Sequence, residues 1–194
     1  MVTKRDILSD ERRKEILQML VENGRISLVE IAKQLGISHV AVYKHIRQLI
    51  DKDLLRVQAN INPKKLGTHL VLVILEVHEE ALKEIMSKFK ECPRIILLAT
   101  MVGGYNVVAL MIAENEDVLK SISTVCAIRV LKGIRRSDVY IIADLARPEY
   151  LPIKLPFPRN RESPLCEREC SACKMYVEKK CLGSPATKYY RGPL

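Results

Sequence analysis

Between Glu11 and Leu55 the chain reads ERRKEILQMLVENGRISLVEIAKQLGISHVAVYKHIRQLIDKDLL. Apolar residues recur there every three or four positions, and two glycines break the run into three short helices. The first helix is expected from about Ser9 to Asn23, capped by Asp10 or Ser9, with Ile16, Leu17, Leu20 and Val21 on one face. Asn23-Gly24 stops it. Ser27 caps a second helix, and Glu30 three residues on completes a capping box. That helix buries Ile31 and Leu35 and ends at Gly36, which supplies the left-handed backbone of a tight turn. Ser38 caps a third, running through Ile46, Leu49 and Ile50. Leu54 to Val57 begins an extended piece expected to hairpin back as a wing. Three helices joined by turns this tight form a helix-turn-helix, which brings its third helix to the major groove. A unit this small has no room for an active site, so the expectation is DNA binding and not catalysis.

Residues 69–146 change character. His69 to Val77 is an apolar, strand-like run; Glu79 to Lys90 has helical spacing; Ile95 to Met101 and Val107 to Ala113 are β-branched and apolar. Gly103-Gly104-Tyr105-Asn106 is a turn between those two strands. Asp117 to Val125 is a second helix pattern, and Ser137 to Ala143 a final strand. The order β-α-β-β-α-β is the ferredoxin-like split unit, and the expected fold class is α+β. Its strands are apolar nearly throughout. Helices cover one face, so the other is expected to meet another subunit.

From Arg147 to Leu165 the chain holds five prolines (Pro148, Pro152, Pro156, Pro158, Pro164). That density excludes helix and regular sheet, and predicts a stiff linker. Beyond it, Cys166, Cys170, Cys173 and Cys181 fall within 16 residues. Without a secretory signal or a membrane-length apolar run, the expected setting is cytoplasmic, where clustered thiols favour metal over disulfides. Soft sulfur ligands select zinc, the first choice, or a 4Fe–4S cluster, the second; paired disulfides or free thiols complete the alternatives. A polar tail of this length is expected to need such a staple to fold. The C-x3-C-x2-C run looks like the cluster motif of radical SAM enzymes, but the barrel domain those enzymes use is missing. Cys92 and Cys126 stand isolated in apolar context. The net charge of +9 is uneven: +5 over residues 1–67, −1 over 68–146 and +5 over 147–194. A polyanion would meet the ends.

Three segments carry a family resemblance. ILQMLVENGRISLVEIAKQLGIS looks like the first two helices and the turn of the Lrp/AsnC, or feast/famine, transcriptional regulators. NINPKKLG, Asn60 to Gly67, looks like the hinge after their wing. MVGGYNVVALMIAENEDVL, Met101 to Leu119, looks like the loop and third strand of their effector-binding domain. The resemblance covers residues 8–146 and leaves out the tail. It implies homodimers formed through the sheets, often assembled into octamers, and a small effector, commonly an amino acid, held between subunits. It also implies four parts: a winged helix-turn-helix over 1–60, an oligomerisation and effector domain over 61–146, the proline-rich linker over 147–165 and a cysteine tail over 166–194.

The DNA-facing candidates are Ser38, His39, Val40, Tyr43, Lys44 and Arg47 on the third helix, with Arg56 after it. Ser38 and His39 suit hydrogen bonds to base edges and Val40 a thymine methyl, with Tyr43 a base or backbone contact. Lys44, Arg47 and Arg56 suit phosphates. His45 faces the groove or packs beneath the helix. The effector candidates are Gly103, Gly104, Tyr105 and Asn106. Where the resembling family commonly has an acidic residue, Asn106 is neutral, which weakens recognition of an ammonium group; a turn that needs glycine explains the pattern equally well. The metal candidates are Cys166, Cys170, Cys173 and Cys181. The reading is a sequence-specific, multimeric transcriptional regulator, modulated by a small effector or by the metal state of its tail. Its rivals are an architectural DNA-compacting protein and an iron–sulfur redox enzyme.

Overall fold

A computed structural model describes residues 9–155 and 158–193. Residues 1–8, and Pro156 of the proline-rich segment, lie outside the described residues. The chain divides into two compact units, residues 1–59 and 60–194.

The first unit is three helices, α1 (Glu11–Glu22), α2 (Leu28–Leu35) and α3 (His39–Asp51). Each starts where the sequence places a cap. The Asp10 carboxylate accepts from the Arg12 N–H, the Ser27 hydroxyl from Glu30 and the Ser38 hydroxyl from Ala41. Gly36 closes α2 in the left-handed region at φ 63°. The core is Ile16, Ile31, Ala32 and Val42, with Met19, Leu20, Leu35 and Ile46 packed around it. Two apolar residues expected inside stand outside: Val21 is 83% exposed and Ile50 41%. Val21 is five residues, or roughly 140° of helical rotation, from Ile16, which takes it off the buried stripe. After α3, residues 55–60 form no strand, so the extended piece is present without a paired wing hairpin.

The second unit is built on a four-stranded sheet. Its elements are β1 (His69–Val77), α4 (Glu79–Lys90), β2 (Ile95–Thr100), β3 (Val107–Ala113), α5 (Glu116–Thr124), the short α6 (Ala127–Val130) and β4 (Ile134–Ile142). The strand order is β2-β3-β1-β4, and the neighbouring pairs are antiparallel. The last strand starts earlier than its apolar pattern, at Ile134, because Arg135 and Arg136 sit in the ladder with polar heads outward; Arg135 pairs with Glu76 at 3.0 Å. Val71, Val73, Leu75, Ala109 and Met111 face the helices and pack on Ile85, Phe89, Val118 and Ile122. Their neighbours one residue along point to the opposite face. There Leu72, Ile74 and Leu110 are half-buried, and Leu97 and Tyr140 are 48% and 52% exposed.

The proline-rich segment is not a free linker. Leu151 and Ile153 are buried against Leu70 and Ile112 on that opposite face, and Leu151 pairs backbone-to-backbone with Ile61. Proline forbids a regular strand, but the alternate leucine and isoleucine side chains still find an apolar surface. The segment is a strap across one end of the sheet.

The cysteine tail also packs on the second unit. It carries a 3-10 turn (Cys170–Ala172) and a one-turn helix, α7 (Lys174–Val177). Cys166 and Leu182 pack against the main core, and Tyr176, Ala186 and Tyr190 are buried. The expectation that the tail folds only around a metal is therefore corrected: it has apolar anchors of its own. Among the described residues no helix is long and apolar enough to cross a membrane.

Candidate nucleic-acid interface and thiol cavity

Ser38, His39, Val40, Tyr43, Lys44, Arg47 and Arg56 are all exposed, and Val42 and Leu49 on the far side of α3 are buried. Helical spacing puts residues 39, 40, 43, 44 and 47 on one face. The structure thus gathers five of the seven candidates on one helical stripe, with Ser38 at its N-terminal end. Ser38 spends its oxygen lone pair on the Ala41 N–H at 3.2 Å and keeps its own hydrogen to donate. Arg47 pairs with Asp51 at 3.1 Å, one turn on. His45 turns away from the stripe: its Nδ1 accepts from the Arg13 guanidinium at 3.4 Å, and the same Arg13 donates to Gln48 at 3.0 Å. His45 therefore ties α1 to α3, the second of its two sequence readings.

At the β2–β3 turn, Gly103 adopts φ 151°, at the edge of the region that favours glycine. Asn106 is fully used by the fold. Its amide oxygen accepts from the Val77 N–H at 2.8 Å and its amide nitrogen donates to the Val77 carbonyl at 2.7 Å. The side chain copies a β-bridge and holds the turn against the end of β1. The Tyr105 hydroxyl donates to Asp138, and the Arg136 guanidinium lies 5.1 Å from the Tyr105 ring centre. That hydrogen bond to Asp138 raises the Tyr105 pKa.

Sequence reasoning missed the anchor that joins tail to sheet. Arg94, just before β2, makes a forked pair with Glu114 at 2.9 and 2.7 Å. It also donates to the Gly183 carbonyl at 2.8 Å. The Tyr190 hydroxyl donates to the same Glu114 carboxylate at 2.7 Å. The Glu114 side chain is 1% exposed and that of Arg94 11%. Burial works against the Arg94 charge, but the hydrogen bonds and charge of Glu114 outweigh it and raise its pKa. A hint lay in the sequence: Glu114 follows an otherwise apolar strand, and a buried carboxylate requires a partner. Tyr190 is clasped further, with the Arg94 and Arg159 guanidiniums 5.9 and 5.3 Å from its ring centre.

Cys166, Cys170, Cys173 and Cys181 line one cavity of about 90 Å³, at the foot of the helical layer. Cys170 and Cys173 flank a single 3-10 turn, a spacing that brings side chains into line. The Gly183 N–H donates to the Cys181 sulfur at 3.4 Å, the kind of backbone bond that steadies a thiolate. Burial, and then the neighbouring Cys166, Cys181 and Cys173, push the Cys170 thiol up to about 11. The thiols stand around the void and do not converge on one point. Among the described residues no group of three or more His, Cys, Asp or Glu is arranged to hold a metal ion.

Comparison with known proteins matches residues 9–56 to the family model for winged helix-turn-helix DNA-binding. The HTH-type transcriptional regulator LrpA of Pyrococcus horikoshii is 38% identical over 117 residues, covering 59% of this chain and 83% of that protein. The HTH-type transcriptional regulator Ptr1 of Methanocaldococcus jannaschii is 33% identical over 107 residues, covering 54% and 72%. The structure of Escherichia coli AsnC superposes with a TM-score of 0.63 at 17% identity over 71% of this chain and 93% of that one, a likeness of fold.

Proposed function

Because the chain belongs to the Lrp/AsnC family of helix-turn-helix transcriptional regulators, and is a DNA-binding regulator and not an enzyme, we propose that α3 lies in the major groove with His39 and Val40 reading base edges. The observation that carries this is the single exposed stripe of His39, Val40, Tyr43, Lys44 and Arg47 opposite the buried Val42 and Leu49. The basic residues among them, with Arg56, hold phosphates and set position; His39 and Val40 set sequence. The test is a gel-shift or anisotropy series on a selected operator at several salt concentrations. Lys44→Ala weakens all sequences about equally and lowers the salt slope by about one. His39→Ala relaxes preference at one base-pair position. A Lys44→Ala effect confined to one base pair, or a His39→Ala effect equal across all sequences, overturns the assignment.

The same reading makes the protein a homodimer, able to assemble further, through the sheet face away from its helices. What supports it is the half-buried Leu72, Ile74 and Leu110 beside exposed Leu97 and Tyr140, an apolar area that water alone covers in the isolated chain. A small effector belongs at the Gly103–Asn106 turn. Asn106 is committed to Val77, so the acidic group beside that turn is Asp138, bonded to Tyr105. The tail thiolates Cys166, Cys170, Cys173 and Cys181 belong to a soft metal, zinc or a 4Fe–4S cluster, and the support is their shared cavity. Metal there would fasten the tail to the sheet and so couple the tail's state to assembly.

A further inference from the structure

Cys92 and Cys126 stand far from the tail in sequence, yet both line the same cavity as its four thiols. Cys92 follows α4, and Cys126 is the residue before α6. All six cysteines of the chain therefore meet at one void, two from the sheet-and-helix core and four from the tail. Cys126 feels the charge of Cys92 and of Cys166, so the core and tail thiols are electrostatic neighbours across it. The remaining wall includes Phe89, Met111, Ile122 and Ile128, which keep bulk water out.

Six thiols exceed what one ion takes. A tetrahedral zinc-like site binds about four sulfurs at about 2.3 Å. Two such ions need about eight sulfur positions, and six thiolates supply them when two sulfurs bridge. The thiols surround a void and do not meet at a point. We propose that this cavity seats a metal–thiolate centre of at least two soft metal ions, and that the core thiols Cys92 and Cys126 are ligands beside the four of the tail. This rests on the reading of the tail as metal-binding. Each thiol that ligates gives its proton to solvent, so loading releases protons. A centre that draws ligands from both core and tail would clamp the tail to the sheet more firmly than one held by the tail alone.

The test titrates the full, metal-free chain with cobalt(II) and then zinc(II), reduced and without oxygen. The thiolate-to-cobalt band is followed, and ions per chain are counted by elemental analysis after desalting. Two or more ions per chain are expected, falling to one or fewer in Cys92→Ser, Cys126→Ser with a weaker band per ion. One ion per chain, with the band unchanged in that double variant, overturns the proposal and leaves the tail reading standing. No ion in the wild type overturns both. Should the double variant misfold, alkylation of the wild type mapped by mass spectrometry decides. Cys92 and Cys126, both partly accessible, are expected to lose reactivity on loading. Equal reactivity with and without metal overturns their role as ligands.

Discussion

Replacing Arg94 by methionine tests the anchor that joins the tail to the sheet. In the wild type, Arg94 gives Glu114 two hydrogen bonds at 2.9 and 2.7 Å and the Gly183 carbonyl one at 2.8 Å. Methionine fills a similar volume and makes none of them. Glu114, with its side chain 1% exposed, would keep only the Tyr190 hydroxyl at 2.7 Å. Removing one partner of a buried pair costs about 3–5 kcal/mol, because the other charge stays desolvated. Against a domain stability of about 5–15 kcal/mol that is a large share. It corresponds to a fall in Tm of about 10–15 °C for a unit of this size. Adding Glu114→Leu removes the stranded charge. The double variant should recover at least half the loss, although the Gly183 carbonyl and the Tyr190 hydroxyl go without partners at about 1–3 kcal/mol each. Urea and thermal unfolding by circular dichroism measure both variants, with limited proteolysis reporting release of the tail. A single variant within about 1 kcal/mol of wild type, well below the buried-pair cost, would refute the reasoning. So would a double variant no more stable than the single one, since the cost would then lie in lost packing and not in an unpaired charge.

The thiol cavity makes the metal-free protein sensitive to alkali. Burial, followed by the charge of Cys92, pushes the Cys126 thiol up to about 12 from an unfolded value of 9.0. A group whose folded pKa is raised contributes stability that is fully present below the unfolded value and is lost as pH rises through the folded one. Stability of the reduced, metal-free chain should therefore fall between about pH 9 and about pH 12, and Cys126→Ala should flatten that limb; denaturant melts across that range check it, and an unchanged slope in the variant counts against it. Gly133 is a second sensitive point. It holds φ 96°, and a Cβ there would come within 2.4 Å of the Ala81 Cβ on α4. Gly133→Ala should cost about 2–4 kcal/mol from left-handed strain and overpacking together, read as an earlier urea midpoint, whereas a midpoint equal to wild type would show that the backbone relaxes.

Much of the first unit was legible because its signals are local. Ser27, Gly36 and Ser38 fix the ends of α2 and α3 through bonds to residues three or four away, and helical spacing follows from chain geometry alone. The recognition stripe came with it, since facing the groove is what the far side of a helix does once Val42 and Leu49 are buried. Where the pattern misled, as at Val21 and Ile50, apolar identity was read without its angle around the helix. The strand order was legible from the sequence of elements, although each edge had to be found by pairing: β4 begins at Ile134 because its arginines point outward.

The sequence by itself determined the helix-turn-helix, the split β-α-β unit and the cysteine spacing, all set by neighbours along the chain. Only the tertiary structure decided where the far parts meet. It turned a proline-rich linker into a strap on Leu70 and Ile112, and bound Tyr190 to Glu114, a residue 76 positions earlier. It also brought Cys92 and Cys126 to the wall that holds the tail thiols. The reason is physical: a buried carboxylate, an apolar sheet face and a cavity are properties of surfaces that exist only once distant segments pack, and no local spacing records which segment will cover them.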